Sequence, residues 1–253
     1  TESIGHIQSA GCAGQSEAVT AAHNKCIRDL MGDIQVHRKK KSNLTFLTME
    51  EEHTISTLWE QDGCSEICSK EELWQAAKSD EMQIQLRGGD DVSGASEQQY
   101  EERFWRRRLD GIALDSVGKK CYLIEFKRTR DRRHSYEERA MKVARQQYKS
   151  LLSGLQAVGQ QKGWKVEQLV FVGGTCGSVN VETFNQNLKL LEVPEGKWSR
   201  LRQRMARRLL EEQDKVLRAY FAQKYDKTPT CGGGGGNAAG PKGLAHLSRD
   251  VYA

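Results

Sequence analysis

Apolar positions are unevenly distributed along this chain: they thin out before Tyr100 and after Tyr225 and concentrate between these two residues. Within that interval, helix-like and strand-like patterns follow one another in the order helix, strand, strand, helix, strand, helix, helix. An antiparallel hairpin followed by a helical crossover to another strand predicts a mixed sheet flanked by helices. We therefore expect an α/β (α+β) fold with helical additions at its N- and C-terminal ends.

Three runs have the pattern of strands. Residues 105–114 alternate between apolar and polar positions, and residues 121–127 (CYLIEFK) form a second run. The DSVGKK segment between them is typical of a hairpin turn, with Gly118 near its tip. The third run, residues 166–172, has few polar breaks, which is typical of a buried strand.

Apolar residues at helical spacing predict helices on both sides of these strands. The predicted helices cover residues 16–31, 98–104, 135–158, 181–191 and 198–225. Short helical pieces are expected in residues 54–77, where Ser69 and Glu72 have the spacing of a capping box. The predicted domain organisation is a loosely ordered N-terminal segment with one helix (1–53), a helical lead-in (54–97), a core with C-terminal helices (98–226) and a flexible glycine-rich tail (227–253).

Basic residues are concentrated in residues 103–149, where there are fifteen lysines and arginines and six aspartates and glutamates. This segment carries a net charge of +9, whereas the whole chain carries +5. A basic block in the folded part favours a polyanionic partner, because neutralising phosphates releases counterions. A solvated face that keeps the protein soluble is the alternative interpretation.

The cysteine content and the hydropathy of the chain indicate the cellular compartment in which the protein works. Seven mostly distant cysteines and the lack of an apolar run of about 20 residues predict an intracellular, reduced protein with no membrane span. The basic run at residues 37–41 (HRKKK) is compatible with nuclear import and also with a solvated linker. The chain starts at Thr1 rather than at a methionine, so we expect it to be a piece of a longer protein.

Three charged residues mark the predicted hairpin as a candidate site. Side chains alternate along a strand, so Glu125 and Lys127 point the same way at the end of CYLIEFK. Asp110 lies on the neighbouring strand, where the hairpin can bring its carboxylate next to that of Glu125. Asp115 could replace Asp110, although it sits in the turn and would face the other way. An ordinary hairpin whose charged end faces water is the alternative to a site.

These three side chains together suit the cleavage of a phosphodiester. Two close carboxylates repel one another, and a divalent cation such as Mg²⁺ or Mn²⁺ removes that penalty. Such an ion can acidify a water and offset charge on a phosphate. Lys127 would add a positive charge beside the phosphate or help to position the attacking water.

The order of Asp110, a turn and then Glu125-Phe126-Lys127 resembles the motif of the PD-(D/E)xK nuclease superfamily, which has the restriction-endonuclease-like fold. The resemblance covers residues 98–172, and Leu109 stands where the family pattern has proline. It implies that Asp110 and Glu125 bind the metal, that the carbonyl of Phe126 is a further ligand, and that Lys127 is the catalytic lysine.

The resemblance also implies residues on the neighbouring helices. A further acidic residue on the preceding helix would be Glu102, with Glu101 as the other option. Some members carry Gln-x-x-x-Tyr on the following helix, a spacing that Gln146, Gln147 and Tyr148 do not have. Gln147 remains a candidate. Domains of this type occur in mobile elements and in Crinkler-type effectors, which are the contexts that the resemblance suggests.

We therefore expect a Mg²⁺- or Mn²⁺-dependent endonuclease acting on double- or single-stranded DNA. The side chains expected to contact the nucleic acid are Arg106, Arg107, Arg108, Arg128, Arg130, Lys142, Arg145, Gln147 and Lys149. A catalytically inactive nuclease-fold module that binds nucleic acid and an interaction protein for an acidic partner are the alternatives. Cutting both strands with one active site per chain needs a second copy, so a homodimer is an expected assembly.

Other groups of potential ligands have weaker patterns. The sets Cys12, His23, Cys26 and Cys64, Cys68 do not provide two matched pairs at zinc-finger spacing, so a zinc site is not expected. His134 follows Lys127 closely enough to assist a proton transfer, but an exposed loop histidine is the simpler interpretation.

Overall fold

The structure is a computed structural model that describes residues 16–48, 54–61, 64–87, 95–131 and 135–226. Three sequence-based predictions lie outside these residues. They concern the flexible tail at 227–253, Cys12 and His134.

The described residues form eight α-helices and four β-strands, which confirms the predicted mixed α+β fold with helices flanking the sheet. The helices are α1 (Ser16–His37), α2 (Ile55–Gln61), α3 (Lys70–Arg87), α4 (Glu97–Trp105), α5 (Tyr136–Gln147), α6 (Lys149–Gln161), α7 (Val181–Leu190) and α8 (Glu195–Asp226). The strands are β1 (Thr45–Thr48), β2 (Gly111–Asp115), β3 (Lys120–Thr129) and β4 (Lys165–Gly174). A 3₁₀ turn, Cys64–Glu66, lies between α2 and α3.

The four strands form one sheet in the order β1, β2, β3, β4. The β1–β2 and β2–β3 pairs are antiparallel, and the β3–β4 pair is parallel. The carboxylate of Asp115 accepts a hydrogen bond from the N–H of Gly118 at 2.7 Å, which closes the predicted hairpin turn between β2 and β3. The crossover from β3 to β4 runs through α5 and α6, as a parallel pair requires.

The alternating side chains of β3 separate two hydrophobic cores on opposite faces of the sheet. Cys121 and Leu123 face a core that includes residues of α2, α3, α4 and α6. Tyr122, Ile124 and Phe126 face the other core, which is formed with α1, α7 and α8. The apolar residues of β3 therefore alternate between two cores, and α5 packs against the second half of β4.

The first strand of the hairpin is shorter than predicted. The alternation in residues 105–114 predicts a strand from position 105, but β2 starts at Gly111 because α4 continues to Trp105. Ser96 and Gln99 form a capping box that starts this helix, and the indole of Trp105 is buried at its end. The aromatic residues before the arginine run therefore belong to the apolar face of a helix.

The helix predicted at residues 135–158 is broken into α5 and α6 at Tyr148. Tyr148 is 1% exposed, and its hydroxyl donates a hydrogen bond to the carbonyl of Arg108, just before β2. The break therefore attaches the crossover helices to the segment that leads into the hairpin. At the other end of the chain, α1 continues past the predicted end at residue 31 to His37.

The described residues up to Tyr220 belong to one compact unit that contains the four-stranded sheet. The end of α8, from Phe221 onwards, is assigned to a second unit. In the described part of the chain, no helix combines the length and the apolar character needed to cross a membrane.

Candidate active site

Asp110 directly precedes β2 and lies beside Glu125 in the hairpin. Gly111 pairs with Ile124 in the antiparallel register, so the adjacent position outside the strand places Asp110 opposite Glu125. Oδ2 of Asp110 accepts a hydrogen bond from the N–H of Phe126 at 2.6 Å. This backbone contact attaches the loop that carries Asp110 to β3, so the two carboxylates are neighbours.

Glu125 is 3% exposed, and its two oxygens have different surroundings. Oε1 forms an ion pair with Nζ of Lys127 at 2.5 Å. Oε2 is buried and has no hydrogen-bond partner among the described residues. Burial and then the charge of Asp110 raise the pKa of Glu125 to about 7, although Lys127 acts in the opposite direction. The protein alone therefore stabilises the ionised form of this carboxylate poorly.

Lys127 is linked to the crossover helices by a chain of hydrogen bonds. Its Nζ donates to Oε1 of Gln147 at 2.7 Å. Nε2 of Gln147 donates to the hydroxyl of Tyr148 at 3.0 Å, and this hydroxyl donates to the Arg108 carbonyl. Gln147 lacks the family spacing to a tyrosine, yet the end of α5 brings it to the lysine. The chain fixes the position of the ammonium group beside Glu125.

Tyr148 remains a donor in this chain over the whole ordinary pH range. Burial holds the pKa of its phenol well above the usual range, and the charges of Glu125 and Asp110 act in the same direction. A sequence pattern could not assign this role, because Tyr148 also fits the apolar stripe of a single long helix.

No sequence pattern links His23 to Asp110, but the two side chains are in contact in the structure. Nε2 of His23 lies 3.2 Å from Oδ1 of Asp110, across 87 positions of sequence. Its ring centroid lies 5.5 Å from that of Phe126. In the sequence, His23 is notable only for its spacing to Cys12 and Cys26, and that spacing suggests a zinc site and not a contact with Asp110.

The structure does not bring the predicted helical glutamates into this cluster. Glu102 is exposed and forms an ion pair with Arg106 at 3.8 Å. Glu101 accepts a hydrogen bond from the indole N–H of Trp105 at 3.2 Å. The helix that contacts Asp110 is α1 and not α4, so His23 takes the position beside the carboxylate. The other proposed substitute, Asp115, caps the turn at the far end of β2.

The three arginines before Asp110 differ in their exposure to solvent. Arg106 and Arg108 are exposed. Arg107 turns inward, where it forms an ion pair with the buried Glu81 at 2.5 Å and donates to the Ser150 hydroxyl at 3.3 Å. Arg107 therefore contributes to the packing of α3 against α6, and its charge is already compensated.

The other predicted cations lie on two surfaces. Lys142, Arg145 and Lys149 line a surface groove of about 380 Å³ along α5, and Lys149 also pairs with Asp80 at 3.1 Å. Arg128 follows Lys127 on β3 and points to the opposite face of the sheet, and Arg130 lies just beyond the end of the strand.

The donor set around Glu125 suits a hard divalent cation. Mg²⁺ commonly uses one or two carboxylates and completes its shell with waters and substrate oxygens. Asp110 and Glu125 supply these two carboxylates, and the buried Oε2 of Glu125 lacks the partner that a cation would provide. Among the described residues, no group of three His, Cys, Asp or Glu side chains is arranged to hold a metal ion, so side chains alone do not complete a shell.

The described Cys26, Cys64 and Cys68 do not form disulfide bonds with one another. No protein-family model matches the chain, and no curated protein sequence or solved structure is significantly similar to it. The functional interpretation therefore depends on the geometry of these residues and on their resemblance to the nuclease motif.

Proposed function

We propose that this chain is a divalent-cation-dependent endonuclease that hydrolyses phosphodiester bonds in DNA. The observation that carries the proposal is the convergence of Asp110, Glu125 and Lys127 at one position of the sheet, with Oε2 of Glu125 buried and unpartnered. An ordinary hairpin end would leave such charges in water, where none of them would be desolvated.

Asp110 and Glu125 would hold Mg²⁺ or Mn²⁺, with the carbonyl of Phe126 as the further ligand that the resemblance implies. When bound, the ion supplies an acidified water and compensates charge on the phosphate. The raised pKa of Glu125 supports this assignment, because a nearby cation favours the ionised carboxylate that burial and Asp110 disfavour.

Lys127 would act on the substrate rather than on the metal. Its side chain is 22% exposed, so the ammonium group can contact a phosphate oxygen while Gln147 holds it in place. A positive charge held in advance at this position stabilises the negative charge that develops on the phosphate. His23 would position Asp110 through its contact with Oδ1.

The basic surface would bind the phosphate backbone of the substrate. Arg106 and Arg108 flank the segment before β2, and Lys142 and Arg145 line the groove along α5. Phosphate contacts of this kind position the nucleic acid without reading its sequence. We place the activity inside the cell and, in a nucleated cell, in the nucleus. Double-strand cutting would require two copies of the chain.

Cleavage assays with the full chain test this proposal. Plasmid and single-stranded DNA are incubated with Mg²⁺, with Mn²⁺ or with EDTA, and cleavage is expected only with the metals. Lys127→Ala should lower the cleavage rate by about two orders of magnitude, the typical effect of removing one preorganised electrostatic group.

Lys165→Ala is the matched control, because Lys165 forms an ion pair with Glu167 on β4 with the same two-residue spacing. Cleavage that persists in Asp110→Ala and Glu125→Ala would contradict the site assignment. DNA binding without metal-dependent cleavage would instead favour the inactive binding module.

A further inference from the structure

Four buried polar atoms near the end of β3 have no hydrogen-bond partner among the described residues. They are Nε of Arg128, Nε of Arg130, Nε2 of Gln213 and Oγ1 of Thr175. Gln213 and Thr175 are 5% and 3% exposed, so bulk water does not surround their side chains. Buried polar groups nearly always have a partner, and a group of unsatisfied donors in one region indicates an acceptor that belongs there.

Arg128 lies on the face of β3 opposite Lys127, because side chains alternate along the strand. Arg130 follows Thr129, the last residue of β3. Arg128 Nη2 donates to the side-chain carbonyl of Gln213, which brings α8 to this face. The side-chain N–H₂ of Gln213 has no hydrogen-bond partner in the described part of the chain.

Thr175 lies at the same end of the sheet. Its N–H donates to the carbonyl of Thr129 at 2.9 Å, so Thr175 lies beside the strand residue between the two arginines. Gly173, two residues earlier on β4, faces Leu209 of α8. Arg128, Gln213 and Thr175 therefore lie around the ends of β3 and β4 beside α8, and Arg130 directly follows this end of β3.

The nearby carboxylates are bound to other groups. Oε1 of Glu212 lies 2.7 Å from Nζ of Lys215 and 3.7 Å from Arg208. Asp131 accepts hydrogen bonds from the hydroxyl of Ser178 at 2.7 Å and from the N–H of Cys176 at 3.1 Å. Glu212 acts on the charge of Arg128 from nearby, but among the described residues no carboxylate forms an ion pair with either guanidinium group.

The geometry points to a phosphate-binding pocket formed by Arg128, Arg130, Gln213 and Thr175, which holds a backbone phosphate of the nucleic acid other than the one being cleaved. A phosphate offers several acceptor oxygens and a negative charge, which matches two guanidinium groups, an amide N–H and a hydroxyl. This inference rests on the proposed nuclease function for the identity of its ligand. Since Arg128 and Lys127 lie on opposite faces of β3, the substrate strand crosses the carboxyl end of that strand.

Binding measured without metal tests the pocket separately from cleavage. The full chain is titrated with a 5′-labelled single-stranded oligonucleotide in EDTA at several salt concentrations, and fluorescence anisotropy gives the affinity. Arg130→Gln should weaken binding and reduce the slope of log affinity against log salt by about 1, as expected for the loss of one phosphate contact. Arg218→Gln, which removes an exposed arginine paired with Asp214 on α8, is the matched control and should keep the slope.

Substitutions of Thr175 test the pocket without changing the net charge of the protein. Thr175→Val deletes the hydroxyl at constant volume and should weaken oligonucleotide binding about threefold or more, whereas Thr175→Ser should restore it. Circular dichroism melting verifies that each variant is folded. Equal affinity and equal salt slope for wild type, Arg130→Gln and Thr175→Val would overturn the pocket.

A second arm distinguishes a backbone phosphate from free phosphate. Thermal melting of wild type is compared in inorganic phosphate and in chloride at equal ionic strength. Stabilisation by phosphate that Thr175→Val abolishes, together with unchanged oligonucleotide binding, would overturn the backbone assignment. If wild type binds DNA through the pocket but never cleaves it with Mg²⁺, the pocket is supported and the nuclease function fails.

Discussion

The N–H of Phe126 donates to Oδ2 of Asp110 at 2.6 Å, so Asp110 is fixed to the strand that carries Glu125 and Lys127. The side chain of Phe126 points to the other face of the sheet, where its ring lies near His23. His23 in turn contacts Oδ1 of Asp110. Both oxygens of Asp110 therefore have partners, whereas Oε2 of Glu125 has none among the described residues. The described residues therefore satisfy both oxygens of Asp110 but only one oxygen of Glu125.

Glu125 is expected to make the metal-free protein less stable as the pH rises. Its pKa is about 7 in the folded protein, compared with its usual value of 4.5. Between these two values the folded protein keeps a proton that the unfolded chain releases, so the stability contribution present below pH 4.5 is lost by pH 7. The shift corresponds to about 3 kcal/mol, and urea unfolding between about pH 4 and pH 8 in EDTA measures it.

Glu125→Gln supplies the comparison for this pH profile, because its side chain is neutral at every pH. Its stability should stay level across the same window. Glu138→Gln changes an exposed glutamate of α5 and should follow the wild-type profile. A Glu125→Gln protein that loses stability as steeply as wild type would show that another group controls the dependence.

Tyr148→Phe is expected to destabilise the fold and to slow cleavage. The variant removes the donor to the Arg108 carbonyl and the acceptor for Gln147, so Gln147 no longer holds Lys127 in place. Loss of a buried hydrogen bond costs about 1–2 kcal/mol, which urea unfolding detects. The cleavage rate at saturating DNA should fall by about tenfold, because Lys127 loses its fixed orientation.

Tyr136→Phe is the matched control for this variant, since Tyr136 packs against the small core beneath α5. It should change stability by less than about 0.5 kcal/mol, as is typical away from buried networks. Equal cleavage by Tyr148→Phe and wild type would show that the hydrogen-bond chain does not position Lys127.

His23→Ala is expected to reduce metal-dependent cleavage with little effect on stability. The variant frees Oδ1 of Asp110 and removes the contact between α1 and the site. Cleavage should fall by about tenfold and metal affinity, measured by calorimetry with Mn²⁺, should change in parallel, because a displaced carboxylate affects both. His37→Ala at the end of the same helix serves as the control. Unchanged Mn²⁺ affinity and cleavage in His23→Ala would exclude a positioning role for His23.

The sequence predicts the hairpin and one face of the site because both follow from local rules. Alternation along CYLIEFK and the turn before it determine that Glu125 and Lys127 point together, and the register then places Asp110 opposite. Charge counts predict a basic surface, but they do not reveal that Arg107 is paired with the buried Glu81. Such a pairing depends on tertiary packing, which composition does not contain.

The remaining site residues depend on contacts that are distant in sequence. His23 reaches Asp110 across 87 positions, through the packing of α1 on the sheet. The break at Tyr148 is hidden because Ala144, Tyr148 and Leu151 keep a helical apolar spacing across it. β1 has four residues (TFLT), which is too short a run for a period-two pattern to stand out.

Gly173 is expected to be required at the end of β4 because of its contact with α8. A Cβ at this position would lie 2.7 Å from Cδ1 and 2.9 Å from Cδ2 of Leu209, which is fully buried. Gly173→Ala should therefore destabilise the protein by about 1–3 kcal/mol through overpacking.

Gly196→Ala is the control, because nothing lies within 4 Å of its added Cβ. The double variant Gly173→Ala/Leu209→Ala should lose less unfolding free energy than the sum of the losses of the two single variants, as measured by urea unfolding. The truncated leucine leaves room for the added methyl group. Strict additivity would show that the close approach of β4 and α8 does not constrain this glycine.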